Sequence, residues 1–167
     1  LLLLGPVGAG KSALLEHIKK ALEAAEGAYH IADCPIREEP LHLIPRGLRE
    51  EFENAYGVRI EGDLCPVCRY NLLEEYDGDY TKVPITTSSF SIRGRRGIGV
   101  VPPMDPNTQD TSILIGSEDI SKMDLYSEDD PRVLSLNGAF NVVNRGIVEF
   151  VEVFKNEIEF LHTMITA

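Results

Sequence analysis

Residues Gly5-Pro6-Val7-Gly8-Ala9-Gly10-Lys11-Ser12 match the spacing G-x-x-x-x-G-K-[ST] at every fixed position. Four leucines, Leu1 to Leu4, precede this stretch and a helical pattern follows it. Strand, glycine-rich turn and helix N-terminus is the context in which such a loop cradles phosphate. Glycines let successive N–H groups turn inward, and the start of the helix adds unpaired N–H groups and a positive dipole end. On this reading Gly5, Pro6, Val7, Gly8, Ala9, Gly10, Lys11, Ser12 and Ala13 hold a nucleotide. Lys11 reaches the β- and γ-phosphates and Ser12 ligates Mg²⁺. A chance glycine-rich turn is the competing reading, and the flanking apolar run and helical pattern weigh against it.

Leu1–Leu4 read as a buried parallel strand. Leu14 or Leu15, Ile18, Leu22 and Ala25 recur at helical spacing, with Glu16 and Lys20 as an i,i+4 pair and Gly27 just past the helix end. Residues 28–32 read as a second strand, which together predicts a βαβ unit and a parallel sheet. Residues 44–56 predict an amphipathic helix with Pro45 in its first turn, and 65–76 a shorter helix. Alternating and β-branched residues over 82–101, around Gly94 and Gly97, predict a hairpin tipped by Arg93, Arg95 and Arg96. Pro102, Pro103 and Pro106 then break structure. The stretch 35–135 is long for a loop and reads as an elaborated insertion with small elements of its own. Residues 146–153 read as a buried strand carrying acids, and Ile158, Leu161 and Ile165 mark a closing helix.

A phosphate loop works with a second, acidic strand, whose carboxylates hold Mg²⁺ or polarise water. In residues 147–153 the candidates are Glu149 and Glu152. Alternation puts them on opposite faces of a regular strand. Glu152 lies nearer the C-terminal end, where ligands bind in parallel sheets, and is the expected catalytic carboxylate alongside Lys11. Ordinary paired or solvated acids are the alternative. Asn144 and Arg145, just before this strand, are candidates for orienting water or meeting a neighbouring subunit.

Cys65-Pro66-Val67-Cys68 has the spacing of a metal knuckle, and Cys34 is the third cysteine. A structural Zn²⁺ needs four ligands. Cys34 together with His30 or His42 is the available completion. A redox dithiol, or a pair of small half-buried residues starting a helix, are the other readings.

Taken together, several stretches resemble the N-terminal ATPase domain of the PrkA-type serine protein kinases. They are the glycine-rich loop, Cys34-Pro35-Ile36-Arg37-Glu38-Glu39-Pro40-Leu41-His42, Gly62-Asp63-Leu64-Cys65-Pro66-Val67-Cys68-Arg69, Asn107-Thr108-Gln109-Asp110 and Ser127-Glu128-Asp129-Asp130-Pro131. Outside the loop, the most telling is Asn144-Arg145-Gly146-Ile147-Val148-Glu149-Phe150-Val151-Glu152-Val153-Phe154-Lys155. The resemblance covers essentially the whole chain. It implies an α/β P-loop NTPase fold of the AAA+ type, a three-layer sandwich with a mainly parallel sheet, with residues 1–167 forming a partial domain that carries the 35–135 insertion. It also implies ATP and Mg²⁺ as cofactors, homo-oligomers in the full-length protein, a cytoplasmic bacterial location and a separate C-terminal kinase-like module outside this chain. A sensor asparagine and an arginine finger are expected beyond Ala167. Where AAA+ acidic strands end in Asp-Glu, this chain has Val151-Glu152, so Glu149 or water is left to serve Mg²⁺.

Charge narrows the partners. With 27 acidic against 16 basic side chains and a formal net charge of -11, the chain is a poor non-specific binder of nucleic acid or of an anionic membrane. No apolar run is long enough to span a bilayer. The chain opens without Met inside an apolar run and stops within a helical pattern, and it reads as an excerpt of a longer protein. Three functional readings follow: an ATP-hydrolysing module regulating a kinase of unknown protein substrate, a non-hydrolysing nucleotide switch, and a zinc-stabilised interaction domain.

Overall fold

The computed structural model describes residues 2–6, 8–103, 110–127, 130–155, 158, 161 and 162. In chain order its elements are α1 (Lys11–Glu23), β1 (Ala28–Ile31), α2 (Arg46–Tyr56), α3 (Pro66–Glu74), β2 (Ile85–Ser88), β3 (Ile98–Val101), α4 (Ser112–Ile115), β4 (Ser117–Glu118), α5 (Ile120–Met123), β5 (Leu134–Ser135), α6 (Ala139–Val142) and β6 (Ile147–Phe150). They fall into two compact units. One comprises Leu1–Gly27, Ser89–Gly116 and Asn137–Ala167, the other Ala28–Ser88 and Ser117–Leu136.

In the first unit, β3 and β6 pair in parallel, with Ile98 opposite Ile147 and Val101 opposite Phe150. Val101, Leu114 and Ala139 are buried together, and Phe140, Val148 and Phe150 pack against them. The chain enters β6 through a tight turn in which Ile147 N–H donates to the Gly97 carbonyl at 2.7 Å. Gly146 is required there, because a Cβ on it would overlap the Gly97 carbonyl. Gly146→Ala is therefore expected to destabilise the pair by about 1–3 kcal/mol, as overpacking does. Faster hydrogen exchange at the Ile147 and Val151 amides checks this, and unchanged exchange would refute it.

In the second unit, β1 pairs antiparallel with β2, Ala28 opposite Ser88 and Ile31 opposite Ile85. A shorter antiparallel pair joins β4 to β5. Ile31, Cys34, Leu43, Cys65 and Cys68 form the buried cluster, flanked by Ile36, Leu64, Val67, Tyr80 and Val83. Helix α2 stops at Gly57, whose left-handed φ of 65° suits a glycine cap and whose N–H donates to the Glu53 carbonyl. Helix α3 begins with Cys65 as its cap and Pro66 in its first turn.

Several expectations are corrected. Residues 2–4 form no strand, and Leu2 and Leu4 are exposed. An apolar run becomes a strand only where a neighbour supplies the ladder, and β3 and β6 pair with each other instead. The βαβ reading across α1 fails for the same reason, since β1 takes β2 antiparallel as its partner. The hairpin over 82–101 also fails. β2 and β3 find different partners, and only the Ser91–Arg96 bridge closes locally. Glu16 pairs with Lys19 rather than Lys20. The strand expected to reach Val153 ends at Phe150. Val7, Ile165, residues 107–109 and residues 128–129 lie outside the described residues.

Candidate functional site

Helix α1 starts from Gly10, which has a left-handed φ of 77° and provides no side-chain cap. No acid occupies the first turn, so its N–H groups and dipole are not answered by a carboxylate of that turn. Gly8 also has positive φ, and a Cβ on either Gly8 or Gly10 would meet no atom within 4 Å. Both positions face open space. The Lys11 ammonium folds back on the loop, donating to the carbonyls of Gly5 and Pro6 at 2.7 Å each. Ser12 and Ala13 are exposed on the first turn of α1. These residues suit a polyphosphate: backbone donors, a cation and a hydroxyl, with no acid in the first turn of α1.

The two acids of the β6 region have different surroundings. Glu149 lies on β6 and accepts from Lys19 Nζ at 2.8 Å. Lys19 is buried on α1 and also pairs with Glu16. Hydrogen bonds donated to Glu149 first and Glu16 second hold the Lys19 ammonium above its ordinary pKa against the opposing effect of burial. Lys19 stands about 12 Å along the helix axis from Lys11. A Mg²⁺ role for Glu149 would therefore require that ion pair to open. Glu152 lies just beyond β6 with a left-handed φ of 51°, an uncommon state for a residue with a side chain. Its carboxylate is exposed and paired with Lys155 at 2.6 Å. Asn144 and Arg145 sit in the turn between α6 and β6, where Arg145 also has positive φ.

In the second unit the three cysteines converge. The thiol sulfurs of Cys34, Cys65 and Cys68 and a carboxylate oxygen of Glu38 all lie within 4.8 Å of one another. All four residues are buried, and the cysteines are free thiols. Hydrogen bonds from Cys65 first and then Cys68 pull the Cys34 thiol down to about 3. The same coupling to Cys34 pushes Cys65 up to about 12 and raises Cys68 as well. Neither histidine joins the cluster directly. His30 is buried with Nδ1 on the Ile31 carbonyl at 2.9 Å, and His42 Nδ1 meets Glu38 Oε1 at 3.0 Å.

Sequence reasoning missed Glu38 and Lys19. Glu38 had one usable signal, its place four residues after Cys34 in a turn. Lys19 had none, since a lysine on a helix is normally solvated and its partner Glu149 lies far along the chain on β6.

Among the described residues no helix is long and apolar enough to cross a membrane. No solved structure matches the chain. It is 47% identical over 167 residues to a Bacillus subtilis (strain 168) protein named "ATP-dependent protease PrkA", covering 96% of this chain and 26% of that protein. It is 36% identical over 173 residues to "Serine/threonine kinase YeaG" of Escherichia coli (strain K12), covering 100% of this chain and 27% of that one. The chain therefore spans about a quarter of the length of these relatives. The PrkA AAA domain family matches residues 1–167 from end to end, so the chain belongs to that family and carries a nucleotide-binding module of the α/β P-loop NTPase class.

Proposed function

We propose that this domain binds Mg–ATP through Gly5 to Ala13 and hydrolyses it, and that its nucleotide state regulates a serine/threonine kinase module elsewhere in the full-length protein. The observation that supports this most is the open, uncapped N-terminus of α1 with Lys11 folded over the loop. Backbone N–H groups of residues 8–13 would bind phosphate oxygens, the Lys11 ammonium would leave the Gly5 and Pro6 carbonyls for them, and the Ser12 hydroxyl would hold Mg²⁺. When bound, Mg²⁺ supplies charge neutralisation on the phosphates. Glu152 is the proposed general base, a carboxylate oxygen accepting a proton from water. The complete domain in this reading is a three-layer AAA+ sandwich whose insertion lies within residues 35–135. It assembles as a homo-oligomer in the cytoplasm, and a neighbouring subunit supplies an arginine.

A second reading has its own support. Val151 stands where an aspartate would hold Mg²⁺, and Glu149 is engaged by Lys19. A domain with that acidic strand could bind nucleotide as a switch without turning it over. The relatives' names differ between kinase and protease, and regulation of a kinase module is the reading proposed.

The nucleotide site is tested by ATP affinity in the full-length protein. Lys11→Ala removes charge-assisted contacts worth about 1.5–3 kcal/mol, so the Kd is expected to rise by roughly 10- to 100-fold. Unchanged affinity would remove Lys11 from the phosphate site and the proposal with it.

A further inference from the structure

We propose that Cys34, Glu38, Cys65 and Cys68 form a closed, four-coordinate Zn²⁺ site, with His42 as the positioning residue that fixes the Glu38 carboxylate. This site stands apart from the nucleotide reading and does not depend on it.

The first support is the donor set. Three thiolate-forming sulfurs and one carboxylate oxygen suit a borderline-soft ion such as Zn²⁺. At the usual Zn–S distance of about 2.3 Å, tetrahedral geometry places ligand sulfurs about 3.8 Å apart. The mutual separation within 4.8 Å requires only small side-chain movements to reach that.

The second support is an orphaned oxygen. Glu38 is only 1% exposed. Its Oε1 accepts from the Cys65 N–H at 2.8 Å and meets His42 Nδ1 at 3.0 Å. Its Oε2 is buried and has no hydrogen-bond partner among the described residues. An unsatisfied carboxylate oxygen in a buried pocket is costly. A cation bound among three sulfurs and this carboxylate answers that cost directly.

The third support is the backbone. Cys65 and Cys68 form a turn in which the Cys68 N–H donates to Cys65 Sγ at 3.3 Å. On the other side, the Glu38 N–H donates to Cys34 Sγ at 3.2 Å, while Ile31 N–H donates to the Glu38 carbonyl at 3.1 Å. N–H groups aimed at sulfur stabilise thiolate and so suit a metal ligand. They also fix Cys34 and Glu38 on one closed loop after β1, facing the start of α3. His42 is itself held, its Nε2 on the Glu61 carbonyl at 2.7 Å. It therefore orients Glu38 as outer partners orient metal-binding carboxylates. With four ligands and no open position the site is structural: it ties the loop after β1 to the N-terminus of α3 within the second unit.

The test uses full-length protein purified without chelator or an affinity metal. Elemental analysis is expected to give one zinc per chain, with near-complete loss in the Cys65→Ser, Cys68→Ser double variant. Wild-type protein that carries no zinc and takes none up on titration overturns the proposal, as does a double variant that keeps its zinc. Because that variant can fail to fold, the wild type is also exchanged into Co²⁺. Thiolate-to-cobalt charge-transfer bands and intense tetrahedral d–d bands are expected, and their absence overturns the site. Glu38→Ala should shift those d–d bands and speed metal loss to a chelator, and unchanged bands exclude Glu38 as a ligand. His42→Ala should weaken zinc affinity by about 10- to 100-fold with the tetrahedral bands retained, as loss of an outer partner does. Unchanged affinity removes the positioning role. Alkylation of the three cysteines should be slow in zinc-loaded protein and fast after chelation. Rapid alkylation of the loaded protein counts against a closed site.

Discussion

Glu152→Gln in the full-length protein is expected to lower the rate of phosphate release by about 10²- to 10⁴-fold, the usual contribution of a positioned general base. ATP affinity should be retained. The two halves of this expectation have separate physical origins. In the proposed mechanism binding rests on the loop and the start of α1, which Glu152 does not touch in any described contact. The proposed turnover needs a carboxylate able to accept a proton, and glutamine keeps the shape while removing that capacity. The left-handed backbone of Glu152 is no obstacle, because glutamine accepts that conformation about as readily as glutamate. Loss of the exposed Lys155 pair alters stability little, since such pairs contribute about 0–1 kcal/mol. A fall in kcat with unchanged Kd supports the hydrolytic reading. If wild type and variant are equally inactive while both bind ATP, the hydrolytic reading fails and the switch stands.

Lys19→Met is expected to weaken the first unit by about 3 kcal/mol, the low end for a broken buried ion pair because Glu16 is half exposed. The methionine fills similar space, but Glu149 is left largely buried on β6 without its cation. The readout suited to a long chain is local: hydrogen exchange at the β6 amides, expected to speed roughly 100-fold. Adding Glu149→Leu should recover most of the loss, because an apolar pair of similar volume avoids desolvating any charge. If the single variant exchanges like wild type, the pair is not stabilising. The pH dependence follows from the raised Lys19 pKa. A group whose folded pKa lies above its unfolded value stabilises fully below that unfolded value. The contribution is therefore present at neutral pH, up to the ordinary lysine value of 10.5, and is lost as pH climbs through the raised folded value.

What the sequence made legible was local. Helices α1, α2 and α3 follow from apolar spacing and from punctuation at Gly10 and Pro45, which act within a turn or two. The glycine-rich loop is legible for the same reason. Strand existence was partly legible, at β1 and β6, but strand partnership was not. Nothing near Ile31 announces that it pairs with Ile85, and nothing near Ile98 points to Ile147. Those choices are made by burial across long stretches of chain, which is also why Leu2 and Leu4 form no strand. The cysteine cluster shows the same boundary. Cys65 and Cys68 stood out by spacing, whereas Glu38 acquires its place only when the loop after β1 closes onto α3. A carboxylate with one clamped and one orphaned oxygen is a property of packing, and no local pattern encodes it.

The parallel pairing of β3 with β6 also sets an order of events. Ile98 waits for a partner that emerges roughly fifty residues later, and closing so long a loop is entropically unfavourable before any contact offsets it. Part of the intervening chain, Ser117–Leu136, belongs to the other unit. A growing polypeptide has α1 and β3 outside the ribosome well before β6 arrives, leaving the inner faces of Val101 and Leu114 uncovered. The first unit is thus completed late, and its synthesis has a window in which its own core is a surface for misassociation.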